Sequence, residues 1–203
     1  EFRRVLFRSV MKKALFSTIL TVSLASSMNL ANADEISTNV AESREAVKTL
    51  FTKLKGALVT GMKTGGPTAA IAACSQQAQP ITDSVSDRRT GLEIRRISLR
   101  LRNPDNAADA WEIKILQQFE ARSAAGESLA TMEHHEVVKQ KGGEKLFRYM
   151  KAIPASKPCM VCHGELIATD VLQKIRAVYP LDQATGFKPG DLRGAFSVTK
   201  ALN

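Results

Sequence analysis

The sequence predicts an α+β domain built on an antiparallel sheet. Two observations carry this. Helical periodicity comes first along the chain, and strand-type alternation comes later, interrupted by one helix. Two of the later strands are joined by Lys141-Gly142-Gly143-Glu144, a hairpin signal that makes sequence neighbours antiparallel.

The elements follow in order. Over 36–62, Val40, Ala46, Val47, Leu50, Phe51, Leu54 and Leu58 keep helical spacing among charged residues, so they predict a helix with an apolar face. Gly61, Gly65, Gly66 and Pro67 break it, and an alanine-rich helix over 68–79 is closed by Pro80. Over 92–102, Ile97, Leu99 and Leu101 alternate with Ser98, Arg100 and Arg102, as in a strand. Asn103-Pro104-Asp105-Asn106 is a turn containing a helix cap. It leads into an amphipathic helix over 107–121 with Trp111, Ile115, Leu116 and Phe119 toward the core. Strands near 130–139 and 145–152, a helix over 166–179, a loop rich in Gly and Pro and a last strand over 194–200 complete the chain.

At the N-terminus, Met11-Lys12-Lys13, an apolar run over 14–25 and Ala31-Asn32-Ala33 form the basic, apolar and cleavage regions of a secretory signal peptide. The apolar run is shorter than the ~20 residues that span a bilayer. The expectation is therefore a signal peptide over 11–33, a single domain over 34–203 and no membrane span after cleavage. Residues 1–10, upstream of an initiator-like Met11, read as a non-native leader. The formal net charge of +9 is partly theirs and the signal's, since residues 1–33 hold five basic side chains and one acid.

Several function classes are unsupported. No dense basic stripe is interleaved with aromatics, which argues against a nucleic-acid partner. The glycine-rich 185–194 segment lacks the Lys-Ser/Thr ending of a phosphate loop, and no paired carboxylates or Ser/His/Asp order have supporting context, so an enzyme is not expected.

The chemistry-bearing motif is Cys159-Met160-Val161-Cys162-His163, a C-x-x-C-H. In this motif each thiol adds across one haem vinyl group, the S–H hydrogen going to the neighbouring carbon. His163 then serves as proximal iron ligand. The expectation is one covalently attached haem c. Attachment of this kind is made outside the cytoplasm, which agrees with the signal peptide and points to a periplasmic location.

The second axial ligand is open at this level. With Cys159 and Cys162 on haem, Cys74 has no disulfide partner in a chain of three cysteines. It is either a small apolar residue buried in an alanine-rich helix or the distal ligand as thiolate. His134, His135, Met62, Met132 and Met150 compete. Met160 lies inside the attachment loop and cannot reach across the haem, and His134 and His135 alternate on a strand, so at most one faces the core. A Cys₃His zinc site from Cys74, Cys159, Cys162 and His163 is the remaining arrangement, strained by the adjacency of Cys162 and His163. Arg95, Arg96 and Arg102 either pair with haem propionates or line a solvated strand edge.

An ordered set of motifs narrows this. Gly65-Gly66-Pro67 through Ala73-Cys74, Arg95 to Pro104, Trp111-Glu112, Cys159 to Gly164, and Asp182 to Val198 with Thr185-Gly186, Gly190-Asp191 and Arg193-Gly194 resemble a family of exported c-type haem domains. The resemblance covers nearly all of 34–203. It implies a PAS-like fold, a central antiparallel sheet flanked by helices, and His/Cys haem ligation with His163 proximal and Cys74 distal. Such domains also form the sensor part of membrane-bound histidine kinases, whereas these 203 residues carry no kinase. The functional expectation is a periplasmic redox or diatomic-gas sensor, responsive to CO or NO and acting on a redox or signalling protein partner. The alternative is a periplasmic electron-transfer cytochrome c.

Overall fold

The computed structural model describes residues 19–87 and 89–202, and side chains from residue 33 onward. The expected non-native leader, 1–10, and residues 11–18 of the expected signal peptide lie outside those bounds. Residues up to Asn39 form one unit, helical from Ile19, and Val40–Asn203 form a second. Among the described residues no helix is long and apolar enough to cross a membrane.

The second unit holds the fold. Its first element, α1 (Ile19–Asp83), is broken at Gly65 (φ −157, ψ 23) and Gly66 (φ 69, ψ −160). The Gly66 value lies in the region that favours glycine. The two limbs then run antiparallel: a Cβ on Gly61 would lie 2.8 Å from the Ala70 Cα, and Lys53 Nζ bonds Ser84 Oγ at 3.2 Å. Gly61 is thus a contact residue rather than a breaker. Pro67 opens the second limb, where its missing N–H costs nothing. Pro80 does not end that limb, which runs to Asp83; it sits in the last turn, where one lost backbone bond is tolerated. Val40, Val47 and Leu50 are buried as expected, but Phe51 and Leu58 are 50% and 38% exposed.

The sheet has four strands, β1 (Leu92–Ile97), β2 (Glu133–Lys139), β3 (Lys145–Pro154) and β4 (Leu192–Leu202), in the order β1-β4-β3-β2, all antiparallel. This is the α+β architecture expected. The hairpin closes at Gly143 (φ 87) with Gln140 N donating to Glu144 O at 2.8 Å. β1 is shorter than the alternation suggested. At Ser98 the hydroxyl donates to Arg193 O and accepts from Arg100 N, turning the chain out of the sheet. A short 3₁₀ turn, Pro104–Asn106, is capped by the Asn103 side chain. Helix α2 (Ala110–Ala124) opens on a capping box between Asp109 and Glu112.

The alternation of the strands separates two faces. Ile97, Met150, Ala152 and Ala195 pack against Ile115, Leu116 and Phe119 of α2. On the other face α1 is tied down by Lys200–Glu42 at 2.6 Å and by Arg44, which pairs with Glu133; Glu133 also accepts from the buried Tyr149 hydroxyl at 2.8 Å. Two further helices, α3 (Met160–His163) and α4 (Thr169–Val178), follow β3.

Candidate functional site

The C-x-x-C-H segment is held by backbone bonds on both flanks. After β3, a 3₁₀ turn over Lys157–Cys159 leads into α3. Ala155 N donates to Asp191 O, and Gly190 N to Ala155 O, each at 2.8 Å. At the far end Gly186 N donates to Gly164 O at 2.8 Å and Phe187 N to His163 O at 2.9 Å. Gly164 is required sterically, because a Cβ there would lie 2.7 Å from Met160 O. Ser156 N donates to Cys159 Sγ at 3.4 Å.

The imidazole of His163 has one defined tautomer. Nδ1 lies 2.7 Å from Ala184 O, and a carbonyl can only accept, so the proton is on Nδ1 and the Nε2 lone pair is available. Burial first, then the nearby Arg193 and Arg102 charges, push its pKa down to about 3. The ring is therefore neutral at ordinary pH, which is the ligating form. Phe187 meets it edge-on, with centroids 6.2 Å apart.

Arg102 organises the surroundings. It holds Asp182 through both carboxylate oxygens at 3.0 and 3.1 Å, and donates to Cys162 O at 2.6 Å and Ala184 O at 3.1 Å. The pair is nearly dry, with side chains 12% and 6% exposed. One guanidinium thus joins the chain after β1, the motif helix and the 182–184 loop that orients His163. Arg102 is not on a solvated strand edge, as one reading of the sequence allowed.

Cys74 arrives from α1. Ile71, one turn before it, packs with Val171 and Ile175 of α4 in a cluster that Cys162, Val178 and Tyr179 join. Cys74 has exposed surface, yet burial raises its thiol pKa, opposed by Arg96 and Arg102. Burial also raises Cys162, and a charge on Cys74 or Cys159 adds to that shift. The three cysteines therefore share one electrostatic neighbourhood, and His163 follows Cys162 directly.

The competing ligands are placed elsewhere. His134 and His135 sit on β2, at the sheet edge opposite β1. His134 lies 5.9 Å from the Trp111 ring and His135 6.2 Å from the Phe147 ring. Met132 and Met150 belong to the core under α2, and Met62 is a surface residue of α1. Among the described residues no group of three or more His, Cys, Asp or Glu is arranged to hold a metal ion, so the zinc arrangement is not assembled. A surface cavity of about 470 Å³ lies between the 165–168 turn, α4 and Thr185, and none of Cys74, Cys159, Cys162 and His163 lines it.

Sequence reasoning missed Phe187, Asp182 and Arg193. Arg193 is buried, which lowers its pKa to about 10 with help from Arg102. Arg100 and Arg193 lie 4.0 and 5.3 Å from the Phe187 centroid. These residues sit in the Gly- and Pro-rich stretch, whose lack of periodicity gave no signal beyond the motif resemblance.

Comparisons with known proteins show the family. A family model described as Tll0287-like matches residues 21–200. The crystal structure of the cyanobacterial heme-protein Tll0287 superposes with a TM-score of 0.59 at 25% identity, over 82% of this chain and 96% of that one. Among curated proteins none matches.

Proposed function

The chain belongs to the Tll0287-like family, and from that premise we propose that it is an extracytoplasmic c-type haem protein acting as a redox or diatomic-gas sensor. The observation that carries the reading is the convergence of Cys74 from α1 on a C-x-x-C-H helix whose histidine has its Nδ1 engaged. Similarity to a named heme-protein supports the cofactor class. In this reading Cys159 and Cys162 would hold the haem through thioethers, and His163 Nε2 and Cys74 Sγ would be the residues that ligate its iron. The haem supplies one-electron chemistry at its iron, with thiolate favouring the ferric state.

The chain's own residues support this role. Ala184 O fixes the His163 tautomer, and Arg102 with Asp182 holds the motif against the loop that carries that carbonyl. Cys74 rides on a helical limb that begins just after the Gly65-Gly66 break. A sulfur that is bound in one redox state and released in the other would move that limb, which is the bistable element a sensor needs. The signalling or redox protein that reads the movement is a separate partner in this proposal.

Optical titration of the haem-loaded protein with CO and NO tests it, in both redox states. The sensor reading expects gas binding to the ferrous protein together with a change in proteolytic protection of 67–83. Ferrous protein that ignores both gases, keeps its ligation and exchanges electrons rapidly would overturn it in favour of an electron carrier.

A further inference from the structure

Arginines gather beside the motif. Arg193 senses the charges of Arg102, Arg100 and Arg96, and among the described residues Asp182 is the acid it senses with them. Asp182 is committed to Arg102 through both oxygens. Arg100 is spent on the carbonyls of Gln183 and Thr185 and on the Phe187 face. Arg193 gives Nη1 to Ser98 Oγ at 2.9 Å and to Arg100 O at 3.2 Å, but its Nε is buried with no partner. Arg96 has a buried Nε with no partner among the described residues. The groups whose negative forms would favour its charge are Cys74 and Tyr179, neither of them a carboxylate.

An uncompensated guanidinium out of water is costly, and such groups persist where a ligand satisfies them. Arg96 and Arg193 are also placed on different flanks. Arg96 projects from β1 on the face shared with Phe196 and Val198, and it senses Cys74. Arg193 opens β4 beside Phe187, whose ring meets that of His163.

We infer that Arg96 and Arg193 are the seats of the two haem propionates, one carboxylate on each guanidinium. This rests on the haem reading above and deepens it, since it assigns how the macrocycle is oriented once Cys159 and Cys162 have fixed its vinyl side. Arginine suits the task because its planar fork matches a carboxylate.

The test uses the haem-loaded chain. Intact mass is read first: no added haem on the wild type overturns the functional reading itself. With haem attached, Arg96→Gln and Arg193→Gln should each shift the propionate bending bands in resonance Raman spectra. Each should also lower the reduction potential, because a positive charge beside the iron is lost. Arg96→Lys and Arg193→Lys keep the charge and should restore the potential more fully than the bands, which also serves if a Gln variant does not fold. Unchanged bands and potential in both Gln variants would overturn the assignment. So would a rise in melting temperature with inorganic phosphate that the Gln variants lose while their Raman bands stay put, which would make this a site for free anions.

Discussion

Two half-buried arginines on opposite faces of the sheet behave differently. Arg148, on β3, faces α2. It pairs with Asp109 at 2.7 Å and Glu112 at 3.3 Å and lies 4.1 Å from the Trp111 ring centroid. Arg96, on β1, has no carboxylate partner among the described residues. Both leave Nε buried without a partner, so that feature does not separate them. The carboxylates do. Where the charge is matched within the chain, the arginine is part of the fold, and its helix cap residues Asp109 and Glu112 serve as counter-ions. Where it is not matched, the fold carries a cost that a ligand can offset.

Substitutions can break or sharpen that contrast. The largest effect belongs to Cys159→Ser with Cys162→Ser, which should abolish covalent haem in intact mass spectra, whereas Arg148→Met should leave it complete. Next, Arg148→Met should lower the unfolding free energy of the loaded protein by about 3–5 kcal/mol in urea titrations, because Glu112 is left buried and unpaired. Its haem spectrum should not change. Arg102→Met should cost a similar amount, since Asp182 is 6% exposed, but should also alter the spectrum, because Cys162 O and Ala184 O lose their donor. If Arg148→Met and Arg102→Met were spectrally alike, the division between structural and ligand-facing arginines would be wrong.

Gly194, in the strand β4 that pairs with both β1 and β3, comes after these. A Cβ there would lie 2.2 Å from Ile97 O at a φ of 156°, so Gly194→Ala should destabilise by about 2–3 kcal/mol in the same titration. The smallest effect is at the α1 tie. The Arg44 hydrogen bond, against burial and with help from Tyr149, holds the Glu133 carboxyl below its usual range. A depressed carboxyl gives stability that is present above the unfolded pKa of about 4.5 and is lost as pH falls through the folded value. Glu133→Gln should therefore lower stability near neutral pH by about 1 kcal/mol and flatten the acid limb of the stability profile.

Much of the fold was legible because its signals are local. The helix break at Gly65-Gly66, the hairpin at Lys141–Glu144 and the core face Ile115, Leu116 and Phe119 follow from turn chemistry and periodicity. The errors came where long-range partners override local pattern. Leu99 and Leu101 continue the alternation of β1, but the Ser98 hydroxyl bonds across to Arg193 O and takes the chain out of the sheet. Phe51 and Leu58 keep helical spacing and are nonetheless exposed. At the site, Cys159, Cys162 and His163 are contiguous and readable, and the motif resemblance singled out Cys74. The Arg102–Asp182 pair was not legible, because two loops must fold before those residues meet.

The central claim is that Cys74 and His163 face one iron. The EPR spectrum of the ferric, haem-loaded protein tests it directly, for wild type and Cys74→Ala. The account predicts a narrow low-spin g spread in the wild type that is lost in the variant. An unchanged spectrum would contradict it, taking Cys74 off the iron and leaving the distal ligand among the histidines and methionines that the fold places elsewhere.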